Sequence, residues 1–139
     1  MNLNKNNKTI IYHPELSNIS KTANIGDNCK IHSHVWIGDN VKIGNNCKIQ
    51  SFVFIPEGII MGDDVFVGPH VCFTNDKNPP SGRENWQTTI IKNGAKIGAG
   101  AVILPGITIE ENATIGAGAV VTKNVFSNST VVGNPAKPL

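Results

Sequence analysis

Two histidines, and a polar segment that follows the second of them, are the side chains in this sequence best suited to chemistry. His34 and His70 are candidates for proton transfer, because the reference pKa of imidazole, about 6.5, lies near neutral pH. Asn75 supplies amide N–H donors that could stabilise a developing negative charge. Asp76 supplies a carboxylate that either holds an ammonium group or braces a turn. Each histidine fits a simple corner hydrogen bond equally well, so the sequence leaves the identity of a base open.

Residues 74–90 form a long segment without any repeating pattern, and they include Pro79-Pro80, Arg83 and Trp86. Long irregular loops in compact domains are usually functional or disordered. The planar fork of Arg83 suits a diphosphate, and the ring of Trp86 suits stacking on a nucleobase or adenine. We therefore predict a binding loop, with a merely solvated arginine as the alternative.

The rest of the chain has an apolar residue at every sixth position, and this repeat predicts the elements that position those side chains. A helix requires a period near 3.6 residues and a simple strand a period of 2, whereas a repeated strand-plus-turn unit fits a period of six. A second small or branched apolar residue usually follows four positions later. The sequence therefore predicts an all-β fold, a parallel β-helix of hexapeptide repeats with one long loop (74–90). The sixth-position residues are Ile19, Ile25, Ile31, Ile37, Ile43, Ile49, Ile55, Met61, Val67, Phe73, Ile91, Ile97, Ile103, Ile109, Ile115 and Val121.

Three hexads per triangular coil would stack residues that are 18 positions apart, at roughly the 4.8 Å spacing of neighbouring strands. Trp36 and Phe54 then share one outward column. His34, Phe52 and His70 share the corner that leads into the same face, with the two histidines roughly 9.6 Å apart. A contiguous exposed apolar stripe marks an interface or a binding groove. We therefore predict that Trp36 and Phe54 contact a substrate.

The composition indicates one domain, 13–139, after an Asn/Lys-rich lead-in, 1–12, that we expect to be poorly ordered. A net charge of +2 with a single arginine argues against a nucleic-acid partner. No apolar run approaches the roughly 20 residues that cross a bilayer. With no recognisable signal peptide, we expect a cytoplasmic protein without a membrane partner. Three cysteines do not make a disulfide framework, and Cys29 and Cys47 are expected to be buried free thiols.

Several stretches, together with the hexad register, resemble a known family. They are IQSFVFIPEG (49–58), VFVGPHVCFTNDKNP (65–79) and the run GAKIGAGAVILPGITI…ATIGAGAVVTKNV…VVGNPAK. They look like hexapeptide-repeat acyltransferases, and more narrowly like N-acetyltransferases of nucleotide-linked amino sugars. The resemblance spans roughly residues 13–137, and Asn75 and Asp76 match the TND motif of that family. The chain departs from the relatives at Pro79-Pro80, where many have Pro-Arg, and in having no C-terminal helix.

The resemblance implies a left-handed coil, a homotrimer with active sites between subunits, acetyl-CoA as co-substrate and no metal. For the donor it points to two identical runs, Gly98-Ala99-Gly100 and Gly116-Ala117-Gly118. Small residues there would let a pantetheine arm lie against the backbone, and Lys96, Lys123 and Lys137 could meet phosphates. Tight corners that require glycine explain each run at least as well.

The function that the resemblance implies is N-acetylation of a dTDP- or UDP-linked amino-deoxy sugar for glycan biosynthesis. The sugar amine would attack the thioester directly, and His34, His70 or the departing sulfur would accept its proton. Three alternatives stay open. They are a sugar O-acetyltransferase, a zinc lyase like the β-helical carbonic anhydrases using His32, His34 and His70, and a non-catalytic trimeric scaffold.

Overall fold

The computed structural model describes residues 7–139, which coil into a parallel β-solenoid of short strands. Two 3₁₀ turns are present, Pro14–Leu16 and Arg83–Asn85. The strands before the long loop are β1 (Ile10–Ile11), β2 (Asn18–Ile19), β3 (Asn24–Ile25), β4 (Lys30–Ile31), β5 (Trp36–Ile37), β6 (Lys42–Ile43), β7 (Lys48–Ile49), β8 (Phe54–Ile55), β9 (Ile59–Met61), β10 (Phe66–Val67) and β11 (Cys72–Phe73). Those after it are β12 (Thr89–Ile91), β13 (Lys96–Ile97), β14 (Val102–Ile103), β15 (Thr108–Ile109), β16 (Thr114–Ile115), β17 (Val120–Val121), β18 (Thr130–Val132) and β19 (Lys137–Pro138).

Up to β17 every third strand joins the same sheet, so the described chain forms a prism with three faces. Sheet I runs β1-β4-β7-β10-β13-β16-β18-β19, sheet II runs β2-β5-β8-β11-β14-β17, and sheet III runs β3-β6-β9-β12-β15. Trp36 pairs with Phe54, 18 residues later, as the triangular coil predicts. The pairing is parallel throughout, except that β19 returns antiparallel along β18.

The core is a column of apolar side chains that runs along the inside of the prism. The sixth-position residues from Ile25 onward are buried, which confirms the hexad prediction, and only Ile19 on the first coil is partly exposed. Burying one such side chain is worth about 1.5–3 kcal/mol. Cys29 and Cys47 are fully buried free thiols in this column, as expected.

The corners of the coil require backbone conformations with positive φ, and asparagine or glycine supplies most of them. The corner between sheets I and II is different, because His34, Phe52 and His70 adopt φ values of 58°, 64° and 61° there. Side chains with a Cβ rarely adopt this region. We call these three residues the aromatic ladder.

Two boundaries differ from the sequence-based expectation. Strand β1 pairs with β4, so coiling begins inside the segment expected to be a poorly ordered lead-in, whose residues 1–6 lie outside the described part. Strand β12 begins at Thr89, so the irregular loop covers residues 74–88. The C-terminal residues form the β18–β19 hairpin. Among residues 7–139 no helix is long and apolar enough to cross a membrane.

Candidate functional site

A cavity of about 500 Å³ lies over sheet II, between the sheet surface and the long loop. Trp36 and Phe54 form its floor, with ring centroids 6.2 Å apart. The structure brings together five of the residues singled out in the sequence, because Asn75, Arg83 and Trp86 also line this space. The complete lining is Asn18, Ser20, Trp36, Ile37, Gly38, Asp39, Phe54, Pro56, Glu57, Asn75, Arg83 and Trp86.

Asn75 is the buried anchor of this cavity, with 9% of its surface exposed. Its Nδ2 donates to the backbone carbonyl of Glu57 over 2.8 Å, and its own carbonyl accepts from the Gln87 N–H over 2.8 Å. The first bond fixes the start of the loop to the coil, and the second joins the two ends of the loop. A primary amide has two N–H donors, so one remains for a ligand.

Asp76 faces into the loop rather than into the cavity, where it braces a turn. Its Oδ2 accepts from the Ser81 backbone N–H over 2.8 Å, and its Oδ1 accepts from the Ser81 hydroxyl over 2.5 Å. These bonds from Ser81 are the main reason that the pKa of Asp76 lies below its ordinary value. Of the two roles expected from the sequence, this geometry favours the structural one.

Arg83 is already paired, which changes the role expected of it. Its Nε and Nη2 donate to the two carboxylate oxygens of Glu57 over 2.9 and 2.7 Å. The Arg83 fork lowers the pKa of the Glu57 carboxyl. Because the folded pKa is depressed, this pair stabilises the docked loop above the ordinary glutamate pKa, and that contribution is lost as pH falls through the lowered value. The sequence-based role, binding a diphosphate, would require Arg83 to exchange partners.

Glu57 is a residue of this cavity that sequence reasoning missed. It stands 18 positions before Asn75 and 18 after Asp39, and all three line the cavity. The stacking rule applied to the corner between sheets II and III would have found this polar column. Glu57 supplies both its carbonyl to Asn75 and its carboxylate to Arg83, so it connects the coil to the loop.

The two candidate histidines lie at the opposite edge of sheet II from Glu57. In the aromatic ladder, the Phe52 ring stacks on His34 at 4.8 Å and on His70 at 5.0 Å between centroids. Phe52 therefore separates the histidines, as the 18-residue register predicts. His34 and Asp39 lie at the two corners that flank β5. A ligand that contacts both edges must lie across Trp36.

The ladder corner continues on the later coils as a bare surface. Gly100 and Gly118 occupy it with φ of 70°, and a Cβ added at either would meet nothing within 4 Å. We call Ala99, Gly100, Ala117 and Gly118 the glycine shelf, and all four are exposed.

Gly98 and Gly116 themselves serve packing between coils. A Cβ on Gly98 would lie 2.5 Å from the Ala117 nitrogen, and one on Gly116 would lie 2.7 Å from Val132 Cγ1. Lys123 and Lys137 are exposed on the C-terminal coils, outside the sheet II cavity.

His32 has a different stacking partner from the two ladder histidines. Its ring stacks on Tyr12, with 4.9 Å between the ring centroids. Within residues 7–139 no three histidine, cysteine or carboxylate side chains lie close enough to hold a metal ion.

The sequence and the fold match known proteins. The family model described as bacterial transferase hexapeptide (six repeats) matches residues 17–55, 40–75 and 88–123. A Schizosaccharomyces pombe protein, whose acetyltransferase activity is inferred rather than established, is 41% identical over 84 residues, which are 56% of this chain and 41% of that protein.

Two solved structures have the same fold. The acetyltransferase domain of PglB from Neisseria gonorrhoeae superposes with a TM-score of 0.82 at 24% identity, covering 94% of this chain and 57% of that one. A point mutant of GDP-perosamine N-acetyltransferase from Caulobacter crescentus, in complex with CoA and GDP-perosamine, superposes with a TM-score of 0.77 at 22% identity, covering 95% and 57%. The chain thus spans about two fifths to three fifths of the length of these relatives.

Proposed function

The chain belongs to the bacterial hexapeptide transferase family, and from that premise we propose that it is an acetyl-CoA-dependent N-acetyltransferase of a nucleotide-linked amino-deoxy sugar. The observation that carries the proposal is the sheet II cavity, which combines aromatic faces with a polar edge of Asp39, Glu57 and Asn75. Sugar rings and nucleobases stack on aromatic side chains, and carboxylates attract ammonium groups. Relatives with this fold bind CoA together with an amino sugar on a nucleotide.

The acceptor amine would lie over Trp36 and Phe54, with its nucleotide extending toward Trp86. The charged side chains of the cavity are two carboxylates and one guanidinium, so its net charge of about −1 favours the ammonium end of the acceptor over its phosphates. An amine that titrates near 8 is partly neutral at pH 7 and so is partly reactive without a strong base.

In the reaction, the amine nitrogen forms a bond to the thioester carbonyl carbon, and the carbon–sulfur bond then breaks to release CoA. The free N–H of Asn75 and nearby backbone amides are suited to stabilise the oxyanion that forms between these steps. The proton lost by the amine passes to His34, to His70 or to the departing thiolate. No other group is consumed, so atoms and charge balance.

The donor would lie along the glycine shelf, with Lys123 and Lys137 near its phosphates. The shelf and the cavity are on different coils, and a neighbouring subunit of a homotrimer would bring a second surface to the same site. The trimer and a cytoplasmic location belong to this proposal.

The experiment follows the release of free thiol from acetyl-CoA with a panel of UDP- and dTDP-linked 3-amino and 4-amino sugars and with GDP-perosamine. The matching hydroxy sugars serve as controls. Turnover of one amino sugar and of no hydroxy sugar supports the proposal and identifies the acceptor. Turnover of hydroxy sugars alone would establish an O-acetyltransferase instead. If no sugar of the panel causes thiol release, and acetyl-CoA does not raise the thermal unfolding midpoint, the transferase proposal is rejected.

A further inference from the structure

Sheet I has an outward column of positive charge that the proposed site does not use. Lys30 pairs with Lys48, Lys48 with Phe66, and Phe66 with Lys96, so the four side chains stand in line on adjacent strands. All four are exposed. We call them the lysine column.

The lysine column lines a cavity of about 650 Å³ at the edge of sheet I. Asn28, Asn46 and Asp64 form the rest of the polar rim, and the Asn28 amide donates to Asn46 Oδ1 over 2.8 Å. Asp64 is the one carboxylate in this lining. Three ammonium groups against one carboxylate leave a net charge of about +2, which would favour an anion here.

Folding alone does not explain this arrangement. Like charges directly opposite each other on neighbouring strands are destabilising. No ion pair within residues 7–139 involves a lysine of the column. The outward positions of sheet III, in contrast, place the single Lys42 between Asn24 and Ile60. The concentration of charge is therefore a property of one face.

We propose that the lysine column binds the phosphates of a nucleoside phosphate. Lys30 and Lys48, on adjacent strands roughly 4.8 Å apart, are spaced to share a diphosphate. Phe66 lies between Lys48 and Lys96, where its ring offers a stacking surface for a base with cations on both sides. The guanidinium of Arg83 is held by Glu57, so a phosphate group in the sheet II cavity would have to displace a carboxylate to reach it.

Two sources of this chemistry exist if the proposed function holds, and this assignment rests on it. One is the diphosphate of the nucleotide sugar, and the other is the phosphorylated adenosine of CoA. Because the column and the sheet II cavity are on different faces, the column would meet either ligand from a neighbouring subunit of the proposed homotrimer. Binding of phosphate itself does not depend on the reaction.

Calorimetric titration with inorganic pyrophosphate tests the site, using the wild type and the double variant Lys30→Gln/Lys48→Gln. We expect binding that weakens with salt, because exposed charges are screened. The double variant removes two charge-assisted hydrogen bonds, so its affinity should fall at least about tenfold. Lys42→Gln is the matched control and should bind as the wild type does. No binding by the wild type, or an equal loss in the control, would overturn the proposal.

Thermal unfolding shows that the double variant is folded, and a midpoint at or above that of the wild type is expected because like-charge repulsion is removed. Titrations with UDP, dTDP and adenosine 3′,5′-bisphosphate then identify the source, since the variant should lose affinity for one class. Turnover of an amino sugar with no effect of the variant on the KM of either substrate would overturn the lysine column and leave the transferase. Pyrophosphate binding without turnover of any amino sugar would support the lysine column and reject the transferase.

Discussion

The corner between sheets I and II has two different surfaces on the two sides of the long loop. Before the loop it presents the stacked rings of His34, Phe52 and His70, and after the loop it presents the bare backbone of Gly100 and Gly118. The backbone conformation is nearly constant, with φ between 58° and 70° throughout. The repeat therefore fixes the path of the chain, while single side chains determine whether the corner is covered or open.

The free energy of folding does not explain why the aromatic ladder covers the corner before the loop. A residue with a Cβ in the left-handed region costs roughly 1–2 kcal/mol, a cost that glycine avoids. Each ring stack returns roughly 0.5–1.5 kcal/mol. Asparagine, which occupies the equivalent conformation at Asn28, Asn40 and Asn46, would serve the turn as well. We infer that the aromatic ladder is kept for contacts with a ligand or with another subunit.

The largest expected effect comes from placing a large side chain over the glycine shelf. In Gly100→Phe, a ring would stand over the glycine shelf and exclude the donor, so acetyl-CoA affinity should fall by about 100-fold, the equivalent of about 2.8 kcal/mol of lost contact. The control is Gly100→Asn, which accepts positive φ with a small side chain. Affinity is measured by calorimetric titration, with thermal unfolding as the check of folding. Unchanged affinity in the phenylalanine variant would show that the donor lies elsewhere.

A smaller effect is expected from removing the titratable groups of the ladder. Asparagine is the substitute because it keeps the turn, so we compare His34→Asn, His70→Asn and the double variant. Turnover at pH 7 should fall by up to about a hundredfold in the variant that lacks the base, which is the low end of general-base contributions.

The loss should shrink as pH rises past the amine pKa near 8, because less of the amine then needs deprotonation. The pH–rate profile is the measurement. A double variant that matches the wild type at every pH would assign proton acceptance to the CoA sulfur.

The smallest effect is expected on stability. Phe52→Asn loses two ring stacks and relieves backbone strain, so the free energy of unfolding should change by less than about 1 kcal/mol. The control is the fully buried Ile55→Ala, which should lose about 2–5 kcal/mol. Denaturant unfolding measures both. A loss for Phe52→Asn comparable to that of the control would make the ladder a structural element.

The repetitive part of the fold could be predicted from the sequence, because every coil requires apolar residues at the same inward positions. Ile31, Ile49 and Val67 are buried for one reason, that the inside of the coil recurs every six residues. The ladder and the sheet II floor follow from the same rule. The cofactor, substrate and catalytic roles of these residues stay predictions, as does the left hand of the coil, which six-residue spacing does not determine.

The unrepeated contacts could not be predicted in this way. The pairing of Arg83 with Glu57 depends on how one loop folds back, and no period in the sequence encodes it. The same holds for the two bonds from Ser81 to Asp76. The strand at Ile10–Ile11 was missed because its neighbouring residues are polar and its partner is 20 residues away instead of 18.

The long loop does not change the register in which the coils before and after it stack. Phe66 pairs with Lys48, 18 positions earlier, and with Lys96, 30 positions later, in the same parallel register. A segment inserted between two coils in this way is free to change in length and sequence while the scaffold keeps its geometry. In evolutionary terms the loop is a variable insertion, in which the cavity residues Arg83 and Trp86 can change while the floor of Trp36 and Phe54 stays on the coils.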